Sequence, residues 1–394
     1  MPPKSRGPNK SIQKHTKSSK NQSTSDHALN AKDGGATKDS VPLALQQKLL
    51  NIFRNAFPSR FEPGLSTLLQ EVKGLLYHRD FIQAFERDDY REAYAVRWSP
   101  SRTLGYLEIF EEVVDGIWDA KDRDASEKES GEDEGSENEI KIICLGGGAG
   151  AEMVSLAGLL NMLQQRRNSD ENAKIPDKSP IKVQRQAPCL NVDFVDIANW
   201  APILDRLYEN ITMPPALSPY ASAAAKASNI SLIPASILSF TFHQHDILKL
   251  HLRELHPLVG DQDLVTLFFT LNELYTTSPS LTQTFLLNLT WCTKVGTILL
   301  VVDSAGNYSE VGLGKEEVKK YPMQWLLDHT LLKSATEVDF SHPVDESFAE
   351  KKHVLKWEKL KGEESRWFRL SDGLKYPLEL ENMRYQVHLY RRIA

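Results

Sequence analysis

Glu139-Ile-Lys-Ile-Ile-Cys-Leu-Gly-Gly-Gly-Ala-Gly-Ala-Glu-Met-Val-Ser-Leu-Ala157 is the stretch on which the fold turns. Ile140, Ile142, Ile143, Cys144 and Leu145 are β-branched or apolar on both faces, as expected of a parallel strand covered on each side. Gly146, Gly147, Gly148 and Gly150 follow; the missing Cβ atoms let a ligand approach the backbone and make positive φ accessible. From Glu152 to Ala157 the spacing becomes helical. The stretch predicts a strand, a tight turn and a helix start, the opening unit of a doubly wound α/β sheet.

A glycine turn after a strand serves two cofactor classes. Dinucleotide enzymes use G-x-G-x-x-G, and the helix N-terminus holds a pyrophosphate. Here the spacing is Gly146-x-Gly148-x-Gly150, and Glu152 sets a negative charge where a pyrophosphate would lie. This spacing resembles the first motif of the S-adenosylmethionine-dependent methyltransferases, whose cofactor carries a carboxylate, an ammonium and a sulfonium but no phosphate. A purely structural turn is the bland alternative.

Downstream, Asn191 to Ile197 predicts a second strand ending in Asp196, and Ser239 to Asp246 a third with His245 and Asp246 at its carboxyl end. Ligands of open parallel sheets bind at the carboxyl ends of strands. Asp196 is thus placed to accept hydrogen bonds from ribose hydroxyls, and Asp246 to bind the exocyclic amine of adenine. Asp196 lies 50 residues after Gly146, against about 20 in a compact dinucleotide fold; a polar insertion near 166–188 makes up the difference. A second excursion, near 213–236, is rich in Pro, Ala and Ser. Leu264 to Leu271 predicts a buried fourth strand with Asn272, Glu273 and Tyr275 at its exit, either as catalytic groups or, for Asn272, as a cap of the next helix. Thr297 to Asp303 predicts a fifth strand, and the alternation from Tyr385 to Arg391 an antiparallel edge. His243 and His245 lack a third ligand at zinc spacing, so no metal is expected.

Upstream, residues 41–118 read as a helical cap. Within it, Arg97-Trp-Ser-Pro-Ser-Arg102 predicts a helix start, with Ser101 as N-cap after Pro100 and a helix from Leu104 to Trp118. Arg97 and Arg102 either grip a phosphate or base, or pack the cap onto the sheet. Residues 1–40 read as a disordered basic arm, and 119–139, with ten acidic residues against three basic, as an acidic linker. Residues 140–394 form the sheet domain. Its last segment, from Lys351, carries eleven Lys or Arg against six acids, with aromatics interleaved. Such a surface can stack bases and contact phosphates, although strand aromatics usually pack.

The chain has 394 residues, 41% hydrophobic and 25% charged, with a net charge of -6. That is enough for one large core with insertions or for two domains. No apolar run reaches the roughly 18 residues needed to span a bilayer, so no membrane is expected. No signal-peptide core is present. Cys144, Cys189 and Cys292 form no metal or disulfide pattern, which fits a reducing compartment, nucleus, nucleolus or cytoplasm, rather than secretion.

The glycine motif, Asp196, Asp246 and Leu-Asn-Glu273, taken with the Arg-Trp segment, the acidic linker and the basic tail, make the chain similar to the fungal methyltransferases of a uridine N3 in 25S ribosomal RNA. The resemblance implies a class I fold with a mostly parallel seven-stranded sheet and S-adenosylmethionine as cofactor, held by Gly146, Gly148, Gly150, Glu152, Asp196, His245, Asp246 and Asn272. It implies a monomer acting on 25S ribosomal RNA or a pre-60S particle, with Glu273 as base, Asn272 or Tyr275 orienting the ring, and Arg97 and Arg102 on the RNA. A methyltransferase of protein or small molecules, and a non-catalytic ribosome-assembly factor on the same fold, remain the competing expectations.

Overall fold

The apolar run around Ile142 becomes β1 (Glu139–Leu145), the central member of five parallel strands with β2 (Cys189–Asp196), β3 (Leu238–Gln244), β4 (Leu264–Phe268) and β5 (Ile298–Ser304). In the computed structural model, residues 41–127, 139–172, 189–306, 308–312, 318–333 and 356–393 are described. A small separate pair, β6 (Tyr308–Gly312) and β7 (Val318–Pro322), precedes β8 (Trp357–Phe368) and β9 (Met383–Arg392). β9 lies antiparallel to β5, and β8 antiparallel to β9, giving a seven-stranded sheet of order β3-β2-β1-β4-β5-β9-β8. The order reverses between β1 and β4, which is where a ligand crevice opens in sheets of this kind.

Alternate residues of the central strands serve opposite faces, as the two-residue period requires. Ile140, Ile142 and Cys144 of β1, with Leu264 and Phe268 of β4, join the core beneath α1 (Leu43–Ala56), α4 (Asp88–Glu127), α5 (Ala151–Asn172) and α6 (Ala201–Thr212). Ile143, Leu145, Val265 and Leu267 join the other core, beneath α8 (Leu252–Val259), α9 (Leu271–Thr277), α10 (Pro279–Cys292) and α11 (Met323–Asp328). The short α7 (Ala223–Ala227) lies in the Pro/Ala/Ser-rich excursion, and α2 (Leu65–Tyr77) and α3 (Phe81–Ala84) lead into α4. The N-terminal helices share the sheet's core, and residues 41–394 make one compact unit.

Several sequence expectations are corrected. Pro100 does not precede a helix start, and Ser101 is no N-cap; α4 runs through both as one helix. An internal proline removes an i to i−4 hydrogen bond and costs about 3 kcal/mol or more. Here the orphaned Val96 carbonyl accepts the Tyr376 hydroxyl at 2.9 Å. Ser99 donates to the Ala149 carbonyl at 2.8 Å, Thr103 to that of Ala151 at 3.2 Å, and Ser101 Oγ accepts the Glu381 N–H at 3.0 Å. These contacts tie both sides of the proline to the rest of the molecule.

α4 also continues to Glu127, into the stretch read as acidic linker, and α5 runs to Asn172, into the stretch read as insertion. β4 stops at Phe268, short of Leu271, because Phe269 turns into the left-handed region at φ 54°. β8 shifts register at two irregularities where it pairs with β9. The basic arm and residues 128–138 and 173–188 lie outside the described residues. No described helix is long and apolar enough to cross a membrane.

Candidate functional site

At the carboxyl ends of the parallel strands lies a cleft of about 660 Å³, bounded by the glycine turn, the tips of β2 to β5, one face of α4, and α2, α3 and α9. On the turn side, Gly146 lies at φ 83°, and a Cβ there would overlap the Thr270 side chain that follows β4. Only glycine adopts this conformation without strain and lets β1 and β4 end this close together. Gly148 and Gly150 were expected to open backbone to a ligand; they do not line the cleft. A Cβ on Gly148 would overlap the Trp200 indole, and one on Gly150 the Leu207 side chain, so both are small to seat α6 and the residue before it.

Carboxylates line this side. Glu152, in the first turn of α5, is 4% exposed, and burial pushes its carboxyl up to about 8, against the opposing pull of its own backbone N–H and of Arg102. Asp196 accepts the N–H groups of Ala198 at 3.2 Å and Gly148 at 3.4 Å, which joins the tip of β2 to the glycine turn. Burial pushes Asp196 up to about 6, with those N–H groups opposing. Asp246 accepts the Leu248 N–H at 3.1 Å and pairs with Lys249 at 2.9 Å. His245 stands beside it and lines the cleft, and its backbone N–H bonds the Asp196 carbonyl at 2.9 Å. His243 is turned to Asp193 at 2.8 Å.

The other side is built by helices. Tyr94, Trp98, Arg102 and Tyr106 all line the cleft. They stand four residues apart on α4 and so share one face. The Tyr94 and Trp98 rings are 4.8 Å apart; the Arg102 guanidinium lies 5.0 Å from the Phe269 ring and donates to the Tyr94 hydroxyl at 2.8 Å. Arg102 makes no salt bridge among the described residues. Asn272 and Glu273 belong to the first turn of α9, and the Asn272 N–H donates to Asp303, itself 2% exposed, at 2.9 Å. Glu273 Oε2 is buried without a hydrogen-bond partner among the described residues. Burial raises the carboxyl's pKa, and Arg79 counters the rise.

Two of the expected residues point elsewhere. Tyr275 is 1% exposed and sits in the opposite core with Leu271 and Met323, because it stands four residues after Leu271 on the short helix and shares that residue's core-facing side. Arg97 is tied to the Glu381 carboxylate and the Glu379 carbonyl, so of the two arginines it is the one that packs α4 onto the chain before β9. The structure brings Gly146, Glu152, Asp196, His245, Asp246, Asn272, Glu273 and Arg102 together. Sequence reasoning missed Tyr94, Phe269, Trp200 and Asp303 as cleft residues. The four-residue spacing from Tyr94 to Tyr106 was the available signal, hidden by the assumption that Pro100 breaks the helix.

Comparisons of the whole chain give its relatives. A curated protein of Saccharomyces cerevisiae, "25S rRNA (uridine(2843)-N(3))-methyltransferase", is 28% identical over 356 residues, which cover 87% of this chain and 85% of that protein. Among solved structures, an O-methyltransferase family protein from Burkholderia thailandensis matches at 12% identity and TM-score 0.34, covering 88% of this chain and 72% of that one. A SAM-dependent methyltransferase from Methanosarcina mazei matches at 11% identity and TM-score 0.30, covering 65% and 93%. The family described as "Putative SAM-dependent methyltransferase" matches residues 53–391. That match runs from within α1 to the end of β9, and on its strength the chain belongs to this family of S-adenosylmethionine-dependent methyltransferases.

Proposed function

We propose that the protein methylates nitrogen 3 of a uridine in 25S ribosomal RNA, as a monomer acting in the nucleus or cytoplasm on the RNA or on a pre-60S particle. The cofactor fits the turn side by its chemistry. Its ammonium, ribose hydroxyls and adenine amine are all donors, and Glu152, Asp196 and Asp246 offer acceptors in succession from the first turn of α5 to the tips of β2 and β3. Gly146 gives the methionine end access to bare backbone, with His245 and Asn272 bordering the same space. When bound, S-adenosylmethionine supplies an electrophilic methyl group.

The observation that carries the reading is Glu273 Oε2, a buried carboxylate oxygen with no hydrogen-bond partner among the described residues, in a cleft that also holds aromatic rings and a guanidinium. N3 of uracil is flanked by two carbonyls, carries a weakly acidic proton and is hidden in a base pair, so the base must be presented unpaired. Tyr94, Trp98 and Phe269 offer rings for it to stack on. Glu273 takes the N3 proton, which leaves N3 nucleophilic toward the methyl group that bound S-adenosylmethionine would supply. The raised pKa of Glu273 makes it a stronger base than an exposed carboxylate. Arg102 stabilises the negative charge spread onto the two carbonyl oxygens, and Asn272, fixed through Asp303, orients the ring.

Unmethylated 25S ribosomal RNA and the wild-type protein should yield 3-methyluridine by mass spectrometry of the digested RNA. Glu273→Gln should lower the rate about 10²- to 10⁴-fold and leave S-adenosylmethionine affinity unchanged. Transfer by the variant at the wild-type rate removes Glu273 as the base; cofactor binding without any methyl transfer to RNA removes the RNA reading.

A further inference from the structure

The two ends of β8 treat their tryptophans differently. Trp357 is 1% exposed and its indole N–H donates to Thr290 at 2.9 Å, whereas Trp367 is 53% exposed on the sheet's edge strand. Arg369 and Arg384 set their guanidinium carbons 5.1 and 6.0 Å from the Trp367 ring centroid. Both arginines are exposed, and neither forms an ion pair among the described residues. Arg384 is the direct cross-strand neighbour of Trp367, and its Nε donates to Ser365 at 2.9 Å, which holds the guanidinium beside the ring.

Position gives this cluster its meaning. β8 is antiparallel to β9, which is antiparallel to β5, so β8 ends at the same edge of the sheet as the parallel strands. Ser304, which lines the cleft, is registered with Tyr385, and Tyr385 with Arg366; Trp367 is the next residue. Two strand spacings put that row about 10 Å from Ser304. A charged edge also discourages sheet-to-sheet pairing, and that accounts for the arginines but not for a half-exposed indole between them.

We propose that Trp367, Arg369 and Arg384 form a platform for an unpaired nucleotide of the substrate RNA, next to the uridine held in the cleft. The proposal rests on the RNA reading of the cleft. The indole stacks on a base and the guanidiniums contact the adjoining phosphates, a combination that is indifferent to base identity and strongly dependent on salt.

Anisotropy of a dye-labelled single-stranded RNA oligonucleotide, titrated with the full chain, tests it. Trp367→Ala should weaken binding about 5- to 150-fold, and Trp367→Phe should retain most of the affinity. The double change Arg369→Gln with Arg384→Gln should flatten the slope of log affinity against log salt by about 1.4. With ribosomal RNA as substrate, Trp367→Ala should raise KM and leave kcat unchanged. Wild-type affinity in a folded Trp367→Ala variant overturns the platform and leaves the RNA reading of the cleft intact. A wild-type chain that binds no RNA overturns that reading and the platform with it. Self-association of the wild type that is lost in Trp367→Ala, at equal RNA affinity, assigns the patch to a second copy and also overturns the proposal.

Discussion

The turn side and the helix side of the cleft hold their functional groups in place by different means. On the turn side each carboxylate is fixed by backbone close to it in sequence or in the sheet. Asp196 bonds the N–H two residues on and that of Gly148 in the adjacent strand's turn, and Asp246 likewise bonds the N–H two residues on. On the helix side the Arg102–Tyr94 hydrogen bond is internal to α4, and the helix itself is anchored by contacts distant in sequence. Tyr94, Trp98 and Arg102 keep their places because α4 is fastened at Val96 and Ser99, through Tyr376 and Ala149. Asn272 keeps its place through Asp303, on the neighbouring strand. A rigid donor pocket made of short loops therefore faces an acceptor pocket that depends on tertiary contacts. A substitution on the turn side should disturb cofactor binding alone, and one on the helix side should disturb transfer more than binding.

The hardest test of that division is Gly146→Val. Positive φ at a β-branched residue costs of the order of 1–3 kcal/mol, and the new Cβ must also displace Thr270. S-adenosylmethionine affinity by calorimetry should fall by up to about 150-fold, while RNA affinity changes little. Equal losses of both would merge the two sides into one unit. Arg102→Met is the counterpart on the helix side. Losing a charged hydrogen-bond donor costs about 1.5–3 kcal/mol, so kcat should drop about 10- to 150-fold. Cofactor affinity should stay within a few-fold, and a variant that loses cofactor and keeps kcat reverses the assignment.

The same difference explains what could be read from the chain. β1, the glycine turn and the tips of β2 and β3 were legible because strand periodicity and strand-end chemistry are properties of a few consecutive residues. Glu152, Asp196 and Asp246 came with them. The helix side was legible only in part. Glu273 and Asn272 announced themselves as polar groups after an apolar run, but whether Tyr275 joined them depended on where β4 stopped. That was decided by the left-handed turn at Phe269, which carries no glycine to mark it. Arg97 and Arg102 looked equivalent in sequence. Glu381, 284 residues away, separates them by claiming Arg97.

Glu152 sharpens the comparison from the pH side, because its place in the first turn of α5 is set locally while its ionisation is governed by burial in the whole fold. Its pKa lies at about 8 in the fold against an ordinary 4.5. The folded state therefore binds more protons than the unfolded chain between these values, so Glu152's contribution to stability is full below 4.5 and is lost as pH rises through 8. Asp196, at about 6 against 3.8, adds a fall of the same sign over a lower window. Between pH 5 and pH 8 the ligand-free wild type should lose several degrees of Tm relative to Glu152→Gln, measured by scanning fluorimetry. Bound S-adenosylmethionine should narrow the gap at pH 8, since its ammonium offers the ionised carboxylate a partner. Parallel Tm profiles for the two proteins would mean that Glu152 is ionised and already satisfied.

The smallest expected effect tests the fastening of α4 itself. Tyr376 packs edge-on against Phe61 at 5.7 Å, and its hydroxyl reaches the Val96 carbonyl that Pro100 leaves unbonded. Tyr376→Phe keeps the ring and removes only that donor, which leaves the carbonyl partly buried and costs about 1 kcal/mol of stability by urea titration. If α4 is held at several points, as the Ser99, Ser101 and Thr103 contacts indicate, kcat should hardly change. A large fall in kcat with the same small loss of stability would show that Arg102 and the aromatic face are aimed by this one hydrogen bond. The helix side would then be poised on a single contact, in contrast to the redundantly bonded turn opposite it.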